Sequence, residues 1–474
     1  MRGSALTISG GLSALVLCAA VGLCSGVGAQ PPATLAIRNV TVIAGGVAPP
    51  LQHTTVLVRG DRIAAVSPDR AANLPANVRI IDGTGRYLVP GLFEMHAHIS
   101  KTRSSALGLF VVNGVTTMRD MGGDHEELLR WRREVRSGVR IGPRILLAGP
   151  YLESARNVER MRKTPPEEMV EPVERTRIPV GSPEDARRVV ASLARSEVDH
   201  VKIRTVQDRE TYMAIAAAAR AHKLPLVGHA SGITPEDILA AGQKSIEHGL
   251  FPTLDEMSRD ARLALFRRFA AAGIGVVPTM VTVPKSILAP DDVLRAIVDD
   301  AEGKLDLRRR YLSRFLILDW KEQVLEQTAE RRAQFRQITP SLIRNLREMR
   351  ESGVRIMAGS DVGVLNIFPG SSLHEELELF VNELGMTPAQ ALECATIRPA
   401  EFLGLADSVG TVSAGKVADL VLLDANPLED IRNLRQIRAV ILRGRLFDRA
   451  GLDKLLSDVG AAEDQRVNDW PRNR

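Results

Sequence analysis

Pro90-Gly91-Leu92-Phe93-Glu94-Met95-His96-Ala97-His98 is the stretch on which the fold is decided. Residues two apart on a β-strand face the same side, so His96 and His98 project together from one face. A pair of imidazoles spaced in this way can grip one metal ion.

The pattern repeats downstream. Short apolar runs occur at 115–120, 144–148, 201–204, 226–229, 245–247, 275–278 and 356–360, and residues 88–95 supply the first of the series. Each is followed by helical sequence, for example 235–241 or 257–272. Strands alternating with helices indicate a parallel sheet. Eight such units over roughly 310 residues suit a (β/α)8 TIM barrel better than an open doubly wound sheet. The expected class is therefore α/β. Two insertions interrupt the alternation, a charged and Pro-rich one at 153–180 and a long helical one at 283–340. Both fall on the side where barrels keep their active sites, as lids or as a decorated rim.

Outside the barrel, both ends of the chain are β-like. Leu35-Ala36-Ile37-Arg38-Asn39-Val40, Thr54-Thr55-Val56-Leu57-Val58 and Arg62-Ile63-Ala64-Ala65-Val66 precede it, and 419–424 and 437–442 follow it. Such blocks can complete one small sheet domain. The resulting division is 30–88 and 405–448 for that domain, 89–404 for the barrel and 449–474 for a tail.

Of the 474 residues, 45% are hydrophobic, 25% charged and only 4% aromatic, an ordinary globular composition with material for a large core. Arg2, an apolar run from Ile8 to Cys24 and small residues at Val27-Gly28-Ala29 read as a secretory signal cleaved after Ala29, with an uncleaved anchor as the alternative. The run is short for a membrane span, so no stable membrane anchor is expected, and the mature protein is placed outside the cell or in the periplasm. Cleavage takes one arginine and no acid, so the net charge falls from +5 to +4. Basic residues alternate with acids, as over 326–336, which is a solvated helix face and not a nucleic-acid module. Two cysteines leave with the signal, and Cys394 remains alone on an apolar helix as a small core residue.

Residues of metal-ligand type recur at strand ends. His229 ends Leu226-Val227-Gly228-His229, His248 ends Ser245-Ile246-Glu247-His248, Asp361 ends Ala358-Gly359-Ser360-Asp361, and Lys202 sits within Val201-Lys202-Ile203-Arg204. Each lies where a barrel strand meets its loop, the place where polar groups converge on a site. Arg204 shares a strand face with Lys202 and either binds a substrate carboxylate or pairs with a structural acid. His125 and Tyr151 follow the second and third strands; they either contact substrate or simply begin the next elements. His374 reads as structural, and His53, His200 and His222 have no metal-like company.

The ligand series, together with Gly114-Val115-Thr116-Thr117-Met118-Arg119-Asp120, the 245–249 segment and Gly415-Lys416-Val417-Ala418-Asp419-Leu420, resembles the amidohydrolase superfamily over residues 34–445. Within it, the chain is similar to the imidazolonepropionase-like and Xaa-Pro dipeptidase-like branch. The resemblance implies that the terminal β blocks form a sandwich beside the barrel. It implies that His96, His98 and Asp361 bind a buried metal, that His229 and His248 bind a second, and that Lys202 bridges the two as a carbamate formed with carbon dioxide. A plain lysine would repel metal ions, whereas a carbamate is an anionic bidentate bridge; with a plain lysine the site would hold one ion. Zinc is the expected metal, with manganese, iron or cobalt fitting the same donors. Two ions sharing a water would generate a hydroxide, and Asp361 would carry its proton to the leaving amine.

The expected function is thus hydrolysis of an amide bond in a small molecule, a dipeptide or an N-acyl amino acid. The alternatives are single-metal ring opening or deamination, and ester, lactone or carbamate hydrolysis on the same site. Many deaminases carry a Glu three residues beyond the fifth-strand histidine, where this chain has Gly232. A binding protein that has lost catalysis is disfavoured because every ligand position is filled. The resemblance also permits a homo-oligomer.

Overall fold

Gly91 is the point at which the chain passes from one sheet to another. This is seen in the computed structural model, which describes residues 33–46, 48–163, 174–229, 232–249 and 252–469. The signal segment read over 1–29 lies outside them. Before Gly91, β1 (Ala33–Val42), β2 (Leu51–Arg59), β3 (Arg62–Pro68), β4 (Arg79–Asp82) and β5 (Tyr87–Pro90) belong to the terminal sheet; after it, β6 (Leu92–Ala97) enters the barrel. The single strand expected over 88–95 is therefore two. A Cβ at position 91 would lie 2.2 Å from Thr116 Oγ1, so only glycine lets the chain cross so close to the next barrel strand.

The barrel strands are β6, β7 (Val115–Asp120), β8 (Arg144–Leu147), β9 (Tyr151–Ser154), β10 (Arg177–Val180), β11 (Val201–Ile203), β12 (Leu226–Gly228), β13 (Ser245–Glu247), β14 (Gly275–Val277) and β15 (Arg355–Ile356). Hydrogen bonding runs β6-β7-β8 in one parallel set and β10-β9-β11-β12-β13-β14-β15 in another. Asp199 N donates to Leu147 O at 2.8 Å and Arg204 N to Leu152 O at 2.9 Å, so β8 and β9 are two halves of one broken strand. The circuit closes where Met95 N donates to Ala358 O at 3.0 Å and Asp361 N to His96 O at 2.8 Å. The final strand thus lies against the first, with His96 and Asp361 at the seam.

Helices cover the barrel because their sequences start and bury where they should. Ser182 caps 183–194 through Asp185 N, Pro183 occupies the first turn, and Ala186, Val189, Val190 and Leu193 form the buried stripe. The 153–180 segment is not purely a loop: it contains the helix Ala155–Lys163 and β10, which pairs with β9. The 283–340 segment contains the helices Asp291–Asp299 and Arg314–Leu325 and runs into a third, Ala329–Glu351. It has its own core of Leu294, Leu316 and Trp320 against Leu365 and Phe368.

At the far end, β16 (Leu420–Leu423), β17 (Ile437–Leu442) and β18 (Arg445–Asp448) return to the terminal sheet in the order β18-β17-β16-β5-β1-β2-β3, with β4 on β1. Both chain ends therefore share one sheet, cemented by Ile37, Val56, Val58, Leu88, Leu420 and Leu422. Residues read as a tail form the helix Arg449–Asp469, in which Leu455 and Val459 pack on Gly108. Among the described residues, no helix is long and apolar enough to cross a membrane.

Candidate metal centre

His96 lies at the end of β6 and His98 directly follows it, with ring centroids 5.4 Å apart. Asp361 Oδ1 lies 3.4 Å from His96 Nε2 and 3.5 Å from His98 Nε2. The donor atoms of these three residues fall within 4.8 Å of one another, a set able to hold a metal ion. Beside them, His229 and His248 approach Nε2 to Nε2 at 3.1 Å, and the His248 ring is 4.9 Å from that of His96. All six expected ligand residues surround one space.

Second partners fix the histidines. His96 Nδ1 is 2.8 Å from Glu247 Oε2, and His98 Nδ1 donates to Gly122 O at 2.9 Å. His248 Nδ1 is 2.7 Å from Thr279 Oγ1. With Nδ1 engaged outward, each Nε2 turns its lone pair inward, as metal ligation requires. Burial holds His98 and His248 down to about 4, with Lys202 adding to the effect, so both stay neutral at physiological pH.

Lys202 stands at the centre. It is 1% exposed and its Nζ has no hydrogen-bond partner; the same is true of His96 Nε2. Its charge is felt by His96, His98, His229 and His248 alike. Burial pushes the Lys202 ammonium down to about 8, against the pull of Glu247 and Asp361. Buried polar atoms without partners, set among imidazole and carboxylate donors, are the mark of a site that binds a cation. The residues present fit divalent ions.

The supporting groups were not evident from the sequence. Glu247 is fully buried and receives Arg119 Nη2 at 2.9 and 3.1 Å; Arg119 also donates to Ser245 Oγ at 2.9 Å and Met95 O at 2.8 Å. Glu94 accepts from His96 N and from Ser360 N, locking the barrel seam, and burial raises it to about 7. Asp120, likewise raised to about 7 by burial, accepts from Ile99 N and Gly122 N. The available signal was a charge inside an otherwise buried strand, as with Arg119 in Thr117-Met118-Arg119 and Glu247 in Ser245-Ile246-Glu247.

The chain belongs to the amidohydrolase family. The family model matches residues 87–447, three-quarters of the sequence. Among curated relatives, an adenine deaminase of Rubrobacter xylanophilus is 39% identical over 72 residues, 15% of this chain and 12% of that protein. An imidazolonepropionase of Thermoplasma volcanium is 35% identical over 109 residues, 22% of this chain and 26% of that protein. The matches therefore span about a quarter or less of each relative. Among solved structures, one from Bifidobacterium longum, described as a candidate prolidase, is 26% identical with a TM-score of 0.67, covering 90% of this chain and all of that one.

The substrate-facing expectations divide. Arg204 and Tyr151 line the same cavity as His98, Lys202, His229, His248 and Asp361, a space of about 1100 Å³. Arg204 also meets the fully buried Glu153 at 2.9 Å, so it both faces the cavity and pairs with a structural acid. Tyr151 lies with its ring 6.0 Å from that of His98. His125 is not on the cavity wall. Asp124 caps the helix His125–Ser137, and the His125 ring lies against Gly149. His374 is buried with Nε2 on Asn113 O, and His200 binds Asp120 O, both structural. Cys394 is buried beside Arg398 at 3.6 Å, and burial pushes its thiol up to about 12, an inert state.

Proposed function

We propose that this protein hydrolyses an amide bond, in a dipeptide or an N-acyl amino acid, at a centre that holds two divalent ions. The observation that carries the reading is Lys202, buried without a partner at the point where both histidine groups meet. His96, His98 and Asp361 would hold one ion, His229 and His248 the other, and Lys202, as a carbamate, would bridge them. The depressed Lys202 pKa raises the fraction of neutral amine able to add carbon dioxide. The imidazole and carboxylate donors suit zinc. When bound, such ions would supply Lewis acidity, polarising a carbonyl and making water more acidic.

The chain's own residues do the rest. Burial raises Asp361 above the usual carboxylate range, against the pull of His98 and Lys202, and a more basic carboxylate suits a group taking a proton from water and passing it to a leaving amine. Arg204, with its guanidinium fixed by Glu153, presents its remaining donors to the cavity and suits a substrate carboxylate. Likeness to the Bifidobacterium longum structure supports peptide-like substrates. A panel of dipeptides and N-acyl amino acids, assayed before and after chelation, tests the proposal. Amine release that is lost with metal and restored by zinc supports it; a protein that cleaves only esters or lactones overturns it.

Arg204→Met is expected to raise KM about 10- to 150-fold for substrates with a free carboxylate, since hydrogen bonds to charged groups contribute ~1.5–3 kcal/mol. The corresponding carboxamide substrates should change little. Equal losses on both would assign Arg204 to structure alone.

A single-ion reading, with imidazolonepropionase- or deaminase-like chemistry, keeps one observation in its favour. Among the described residues, only His96, His98 and Asp361 already converge within metal-binding reach. The location proposed for the protein is extracellular or periplasmic, supported by the signal pattern over residues 1–29. N-terminal sequencing of exported protein should begin at Gln30, and a retained Met1 in that fraction would count against cleavage.

A further inference from the structure

We infer that the 283–351 segment builds an apolar subsite for the acyl arm, so that the preferred substrates are N-acyl amino acids with long or aromatic acyl groups and one carboxylate. This rests on the amide-hydrolase reading above and names its substrate class.

The first argument is size. The cavity encloses about 1100 Å³, at the upper end of pockets that swallow drug-sized ligands. A dipeptide of two small residues would leave much of it filled with water.

The second argument is what the inserted helices present. The helix Arg314–Leu325 is pinned over the loop that carries Asp361: Gln323 Nε2 donates to Gly363 O at 2.9 Å, Gln323 Oε1 accepts from Leu365 N at 2.8 Å, and Lys101 Nζ donates to Asp319 at 3.0 Å. From this fixed position Phe315 and Leu325 line the cavity, joined by Phe335 and Leu342 from the following helix and by Val283 and Ile287 from the turn after β14. Leu325 is 67% exposed, and Phe315 and Phe335 are only half-buried. The insertion does not need these side chains for its own core, which Leu294, Leu316 and Trp320 already supply. Large apolar groups left facing a cavity mark a surface meant to be covered by a ligand.

The third argument is charge. Arg204 and Arg177 share a single buried carboxylate, Glu153, at 2.9 and 3.8 Å, and Arg160 lines the cavity beside them, so that part of the wall is net positive. One substrate carboxylate matches it. Glu322 and Glu326 also line the cavity from the inserted helix and its C-cap and outnumber Arg331 there, the nearby Arg103 being paired with Glu127, so the acyl end of the wall does not attract a second carboxylate. The occupant is thus apolar at one end and anionic at the other. In the reaction, the C–N bond of the amide breaks, water's oxygen joins the acyl carbon, and its proton passes to the amine. A free long-chain or aryl acid and an amino acid leave.

The test compares N-acetyl-leucine with N-decanoyl-leucine on the zinc-loaded full-length protein, by hydrolysis and by calorimetric binding. A fully buried methylene is worth roughly fourfold; against half-exposed walls about 1.5-fold each is expected, so eight more should raise kcat/KM at least ~20-fold. Leu325→Asp, at an exposed position that does not threaten folding, should cut the decanoyl-to-acetyl ratio about fivefold or more. Both compounds cleaved at equal efficiency would overturn the subsite and leave the amide reading intact. No cleavage, but tighter decanoyl binding that Leu325→Asp abolishes, would support the subsite and overturn the amide reading. Neither cleavage nor a binding difference would overturn both.

Discussion

Lys202→Ala is expected to lower kcat/KM for amide hydrolysis by about 10²–10³-fold or more, the scale on which removal of one preorganised electrostatic group is felt. Elemental analysis should show metal content falling with it, from about two ions per chain to one or none. The reason is local. Lys202 Nζ is buried, has no hydrogen-bond partner, and acts electrostatically on all four histidines of the centre. A permanently charged ammonium there would weaken cation binding, while a carbamate would reverse the sign of the charge. Two further variants separate the effects. Lys202→Met keeps the apolar bulk of the chain without a ligand and should behave like Ala. Lys202→Glu supplies a fixed carboxylate and should retain more metal than either. An Ala variant that keeps one ion and full activity would sink the two-ion reading and favour the single-ion site of His96, His98 and Asp361.

The residues around Lys202 were legible in the sequence for a physical reason. Each ends a short apolar run, and a polar side chain there is out of character unless strand ends converge. Their supporting groups were not legible in the same way. Glu247 reaches His96 across 151 positions and Arg119 reaches Glu247 across 128, so only closure of the barrel brings them together. His125 went the other way: its place after the second strand suggested substrate, but the Asp124 cap begins a helix at that residue and carries it off the cavity wall. The first strand was read through Gly91 because apolar character is continuous there, while the sheet change depends on a close approach to Thr116 that no periodicity reveals. Likewise the strand within 153–180 comes from pairing β10 to β9, a tertiary event, in a segment whose composition reads as loop.

Arg119→Met should uncouple stability from metal binding in a way that tests the histidine-orienting network. Arg119 is 1% exposed and is held by Glu247, Ser245 and Met95. Removing it leaves Glu247 as a buried carboxylate without its cation, a change that typically costs about 3–5 kcal/mol. Denaturant unfolding of metal-free protein would show this directly. Loss of a group supporting a metal-bound histidine typically lowers metal affinity about 10- to 100-fold, and His96, whose Nδ1 rests on Glu247 at 2.8 Å, should lose its fixed orientation. The informative variant is the pair Arg119→Met with Glu247→Leu. Replacing both partners of a buried ion pair with apolar side chains is often neutral for stability, so unfolding should return most of the way to that of the parent. Metal affinity should not return, because Leu offers His96 Nδ1 no acceptor. Recovery of both properties together would mean that Glu247 balances a buried charge and does not orient His96.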